Sequence, residues 1–128
     1  MTVARQTLGR DAEALVAGHL EAAGWRIVAR NVRVTALRGE IDVIAVDGSD
    51  LVFVEVKARR AGARLGPVIP AGAVGLGKQR KIRSLAAAWL RERGYDVPRH
   101  RDLRFDVIGV RLDGAGRVVD WEHLRAAF

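Results

Sequence analysis

Gly39-Glu40-Ile41-Asp42-Val43-Ile44 and Leu51-Val52-Phe53-Val54-Glu55-Val56-Lys57 lie on either side of Asp47-Gly48-Ser49-Asp50. Two runs rich in Val, Ile and Phe around a cluster of turn residues predict a β-hairpin. The anomaly is the charge inside the runs. Glu40, Asp42, Glu55 and Lys57 sit among residues that favour a dry interior. A buried charge needs a counter-charge, a metal or a proton.

The turn sets the expected register. With Gly48 and Ser49 as the two loop residues, Asp47 faces Asp50, Asp42 faces Glu55 and Glu40 faces Lys57. Side chains alternate along a strand, so all four charges share one face. Opposed β-carbons stand roughly 4.5–5.5 Å apart. Two carboxylates at that distance repel, and a hard divalent cation such as Mg²⁺ between them would convert repulsion into attraction. A one-residue bulge would move one strand's charges to the other face.

The 128 residues suit a single domain over 1–128, and a hydrophobic content of 49% is ample for its core. There is no cysteine, which excludes disulfides, thiolate zinc sites and cysteine nucleophiles. This fits a cytoplasmic location. No apolar run approaches the roughly 18 residues of a membrane span, and the N-terminus lacks a secretory signal pattern, so no membrane partner is expected. Net charge is +7 and unevenly placed: residues 57–104 hold 13 Lys or Arg against three acids. That excess points to a polyanion such as nucleic acid. The plainer explanation is an arginine-biased composition, since 19 of the 22 basic residues are Arg.

Outward from the hairpin, Thr7 to Ala23 reads as an amphipathic helix with Leu8, Ala12, Leu15, Val16 and Leu20 inward, Thr7 as N-cap and Gly24 as the stop. On the helix alone, Glu13 is an ordinary solvated charge. Trp25 to Val34 suggests a first strand. Arg59 to Gly77 is a long glycine-rich loop. Within it, Gly72 to Gln79 nearly matches a phosphate-binding loop. Gln79 replaces the required Ser or Thr, and Pro70 stands where a buried strand should end, so that reading is set aside. Lys78 to Arg93 is a second helix whose Lys78, Arg80, Lys81 and Arg83 oppose the helix dipole. Such charges serve phosphates or form a solvated face. Leu103 to Val110 and Val118 to Trp121 read as two further strands. His19, His100 and His123 lack metal-ligand spacing and are read as structural or surface residues. The order is α-β-β-β-α-β-β, with a mixed sheet flanked by helices.

Asp42 followed across a short turn by Glu55-Val56-Lys57 resembles the PD-(D/E)XK nuclease core. Gly39 to Ile44, Phe53 to Lys57, Lys78, Arg104 to Ile108, Ala126-Ala127-Phe128, and Gly9 with Glu13 together look like the YraN-like family of small bacterial proteins. That family is similar in fold to archaeal Holliday junction resolvases and restriction endonucleases. The resemblance implies a restriction endonuclease-like fold with Asp42 and Glu55 as metal-binding carboxylates. It also implies Lys57 as catalytic lysine, Glu13 as a helix-borne acid, and Mg²⁺ or Mn²⁺ as cofactor. The proline of the motif's name is absent, Ile41 standing before Asp42. Resolvases act as dimers on branched DNA, which brings DNA and a homodimer into the expectation.

The implied activity is metal-dependent hydrolysis of phosphodiester bonds in DNA, branched or structured DNA included. Lys57 would orient water or stabilise developing charge. Arg59, Arg60, Lys78, Arg80 and Lys81 would hold the backbone without reading sequence. Glu40 is an extra acidic ligand or the partner of Lys57, and the register favours the second. The rival readings are a nucleic-acid-binding protein on the same fold without turnover, and a structural protein whose hairpin charges pair with each other.

Overall fold

Residues 3–62, 66–69 and 72–128 are described in a computed structural model of the protein. The elements are α1 (Val3–Ala22), β1 (Arg26–Val32), β2 (Ile41–Asp47), β3 (Asp50–Arg60), α2 (Leu76–Arg93), β4 (Asp102–Leu112) and β5 (Val118–Leu124). The order is the expected α-β-β-β-α-β-β. Pro70, which the phosphate-loop comparison used, lies outside the described residues.

The hairpin forms in the expected register. Asp47 faces Asp50, and the pairing continues to Val43 opposite Val54. Gly48 has φ +60, the left-handed value that a type II′ hairpin asks of its first loop residue. Strand order is β1-β2-β3-β4-β5. All neighbours are antiparallel except β3 and β4, which run parallel from Asp50 beside Asp102 to Arg60 beside Leu112. A parallel pair needs a crossover, and α2 supplies it.

Each helix covers one face of the sheet. Ala12, Val16 and Leu20 of α1 pack with Val43, Ala45, Val52 and Val54. Ile82, Leu85, Ala86 and Trp89 of α2 pack with Ile44, Leu51 and Phe53 on the other side. Strand β3 is therefore buried on both faces from Leu51 to Glu55, which explains its unbroken apolar run.

Several boundaries differ from expectation. The first helix begins at Val3, so Thr7 lies inside it rather than at its N-cap. Leu15 is 39% exposed while Ala17 is buried, because the inward stripe follows Leu8, Ala12, Val16 and Leu20. Helix α2 starts at Leu76 after Gly75, two residues before Lys78. Strand β5 continues to Leu124. Among the described residues, no helix is long and apolar enough to cross a membrane.

Two tertiary ties fix the ends of the sheet. Arg104 donates to both carboxylate oxygens of buried Asp106 at 2.9 and 3.0 Å, to Asp50 at 2.8 Å and to Asp47 at 2.9 Å. It thereby bridges the two like charges that the hairpin turn places face to face, and Arg125 adds a second cation to Asp47 at 3.0 Å. The Asp106 carboxylate also takes the His123 ring at 2.8 Å and the Ala126 amide at 3.0 Å. Burial pushes the Asp106 carboxyl up, but these hydrogen bonds outweigh it and hold the group below its usual value. At the other tie, residues 66–69 lie against β4. A β-carbon on Gly109 would stand 2.6 Å from Ile69 and 2.7 Å from Val68, so only glycine admits this approach.

Candidate active site

The main-chain pairing of β2 with β3 ends at Val43 and Val54. Beyond it, Asp42 Oδ2 accepts the Val56 amide at 2.8 Å. A side-chain carboxylate thus takes a backbone donor at the end of the ladder. A cleft of about 730 Å³ opens at this end, lined by Asp42, Glu55 and Lys57 of the hairpin together with Glu13, Glu40 and Lys78. Glu13 belongs to α1 and Lys78 to α2, so the cleft is reached from both faces of the sheet.

Asp42 and Glu55 both line this cleft, one residue beyond the last pair of the ladder. The Asp42 carboxyl is pushed up to about 8, first by burial and then by the charge of Glu55. Glu13 adds to the effect through its charge and a shared hydrogen bond. Glu13 is itself raised by burial, with Arg10 acting in opposition. Its Oε2 is buried and accepts no hydrogen bond; Arg10 Nη1 stands 3.6 Å away, beyond hydrogen-bonding reach.

Glu55 is neutralised from two directions. Lys57 Nζ lies 3.4 Å and Lys78 Nζ 3.3 Å from its Oε1. The expected pairing of Glu40 with Lys57 is not what forms. Glu40 instead receives Arg10 at 3.3 Å and Arg33 at 3.0 Å. Regular pairing has ended before Glu40, so the arithmetic of the turn no longer positions it. Arg10, Arg33 and the Lys78–Glu55 contact are what sequence reading missed. Arg10 at three residues before Glu13 was the one visible signal.

Of the five basic residues assigned to nucleic acid, Lys78 lines the cleft. Arg59 and Arg60 are exposed beyond Lys57 at the end of β3, and Arg80 and Lys81 are exposed on α2. His123 is structural, as expected. Among the described residues, no three acidic or histidine side chains already close around one point as a metal cage does.

The profile of Uncharacterised protein family UPF0102 matches residues 12–110. The chain belongs to this family. A UPF0102 protein of Rhodococcus jostii (strain RHA1) is 47% identical over 121 residues, covering 94% of this chain and 95% of the relative. One from Arthrobacter sp. (strain FB24) is 45% identical over 95% of this chain and 96% of its own length. One from Chlorobaculum tepidum is 44% identical over 98% of this chain and 94% of its own length. Relatives of matching length in three separate genera place nearly the whole chain within UPF0102. The family name carries no biochemical function, so the chemistry rests on the cleft.

Proposed function

We propose that this UPF0102 protein is a divalent-metal-dependent nuclease that hydrolyses phosphodiester bonds in DNA within the cytoplasm. The observation that carries the reading is the convergence of Glu13, Asp42, Glu55 and Lys57 on one cleft from a helix and two strands. The acids fit a hard cation. Glu13 offers a buried oxygen without a donor, and Asp42 is raised first by burial and then by the negative charge of Glu55, the second of which a cation would relieve. Asp42 and Glu55 would hold Mg²⁺ or Mn²⁺, with Glu13 as a third acid beside them, and the cation would supply Lewis-acid polarisation of a phosphate oxygen and a more acidic water. Lys57 would stabilise charge on the phosphate oxygens. Arg59, Arg60, Arg80 and Lys81, exposed beyond the cleft, would hold flanking backbone without sequence preference.

A second reading, a nucleic-acid-binding protein without turnover, is favoured by one observation. Glu55 is occupied by two lysines, which leaves it less available as a ligand. Incubating the protein with labelled single-stranded, duplex and four-way-junction DNA in Mg²⁺ or Mn²⁺ separates the two. Wild type nicks at least one substrate, and Asp42→Asn and Lys57→Ala do not. Equal cleavage by the variants overturns the assignment. Binding without cleavage by wild type selects the second reading.

A further inference from the structure

Besides the two lysines, the cleft is lined by two arginines, Arg10 and Arg33. Arg10 of α1 and Arg33, which follows β1, converge on the single carboxylate of Glu40. Arg10 is shared between Glu40 and Glu13, whereas Arg33 meets Glu40 alone among the described residues. Each guanidinium also carries five N–H donors in a fixed fork. Their side chains are 51% and 73% exposed while Glu40 is 25% exposed, so donors remain free to face the cleft. The bridging carboxylate holds the two forks near one another, as an anion of similar geometry would.

Gly9, one residue before Arg10, lines the same cleft. Glycine inside a helix destabilises it relative to alanine. A β-carbon there would meet nothing within 4 Å, so the protein's own packing does not require glycine. Gly9 thus leaves the cleft wall beside Arg10 without a side chain.

We infer that Arg10 and Arg33 form a phosphate subsite beside the metal-type acids, with the Glu40 carboxylate standing in for the phosphate until nucleic acid binds. This rests on the nucleic-acid reading above and deepens it. The ligand is a phosphate of a polynucleotide strand, either an internal diester or a terminal monoester. Its oxygens would take guanidinium donors bidentately, and release of Glu40 from one or both arginines accompanies binding.

The test is fluorescence anisotropy in EDTA, where binding is read without hydrolysis. The probes are 5′-phosphorylated and 5′-hydroxyl forms of one labelled single-stranded oligodeoxynucleotide. Arg33→Ala is the cleaner variant, because Arg10 also approaches Glu13. It should weaken binding about 3- to 10-fold and flatten the dependence of log Kd on log salt by about 0.7, one phosphate contact on a single strand. Glu40→Gln should tighten binding. Gly9→Ala should raise thermal stability while weakening binding, opposite signs that a purely structural glycine would not give. Loss of affinity confined to the phosphorylated probe identifies a terminal monoester; equal loss on both identifies an internal diester. An unchanged salt slope in Arg33→Ala, with Arg80→Ala lowering it, overturns the subsite and leaves the nucleic-acid reading standing. If wild type binds neither probe, both fall together.

Discussion

The Val56 amide donates to Asp42 Oδ2 at 2.8 Å, so the carboxylate that ends the β2–β3 ladder also lines the cleft. Asp42→Asn keeps an acceptor for that amide and removes the charge. An unfolded Asp titrates near 4, whereas burial and then Glu55 push folded Asp42 up to about 8. Between those values the folded chain keeps a proton that the unfolded chain has lost. Stability therefore falls as pH rises through that window and is lowest above it. In EDTA, wild type and Asp42→Asn should melt alike at pH 4. The variant should gain on wild type up to pH 9, by several degrees in Tm. Mn²⁺ should recover wild type at pH 9 and leave the variant unmoved. Parallel pH curves would show that Asp42 does not bear this charge penalty.

Glu55 provides a second prediction, because its carboxylate is 8% exposed and meets both Lys57 and Lys78. Either lysine alone still neutralises it. Lys57→Met and Lys78→Met should each cost about 1 kcal/mol or less, given the exposure of both ammonium groups. The double variant strands a buried carboxylate and should cost roughly 3–5 kcal/mol. Urea denaturation of the four proteins measures the coupling. Strict additivity would mean that the two contacts are independent and that Glu55 is solvated when they are lost. Calorimetry adds a further readout: Lys78→Met should bind Mn²⁺ more tightly, since the cation no longer displaces a lysine.

Gly109 yields a prediction about the segment over β4. An alanine methyl would overlap Val68 and Ile69, at 2.7 and 2.6 Å, and Val68 is only 3% exposed. Gly109→Ala should cost about 1–3 kcal/mol, the usual range for overpacking. It should also loosen the contacts of residues 66–69, where Ile69 donates to Glu122 and Arg111 donates to Gly66. Faster proteolysis within 61–75, with cleavage elsewhere unchanged, would report that displacement. An unchanged digestion pattern would show that β4 yields instead.

The parts of the molecule that sequence made legible are those governed by short-range rules. Asp47-Gly48-Ser49-Asp50 set the hairpin register through its geometry, and the pairing holds from Asp47–Asp50 to Val43–Val54. Gly24 and Gly94 end their helices with positive φ, +96 and +58, as glycine permits. Asp42 and Glu55 were legible because each lies one residue past the last pair of that ladder, at the end where the cleft opens. Glu40 was not, since its partners Arg10 and Arg33 belong to a helix and a connection whose positions no hairpin rule sets. Lys78 was legible as a charge opposing the helix dipole, but its contact with Glu55 depends on how α2 crosses the sheet. The Arg104 cluster was hidden for the same reason. It joins residues 47, 50, 104, 106 and 123 through the parallel pairing of β3 with β4 and the turn back into β5.

That cluster gives the last prediction. Asp106 is fully buried, yet Arg104, His123 and the Ala126 amide all donate to it. Its carboxyl is held below the usual value by those bonds despite burial. A depressed carboxyl contributes stability that is present above the unfolded pKa near 4 and is lost as pH falls through the folded one. Asp106→Asn leaves Arg104 beside Asp47 and Asp50 without its buried bidentate partner, and should cost on the order of 3–5 kcal/mol at pH 7. The gap between variant and wild type should narrow as pH falls below 4, because the unfolded wild-type chain then takes up a proton that folded Asp106 resists. Adding Arg104→Met should not restore wild-type stability, since Asp50 would face Asp47 across the turn without the cation that now bridges them, Arg125 remaining on Asp47 alone. Urea unfolding at pH 7 and pH 3 checks all three statements. A deficit that stays constant down to pH 3 would show that the loss comes from packing around residue 106 and not from its charge.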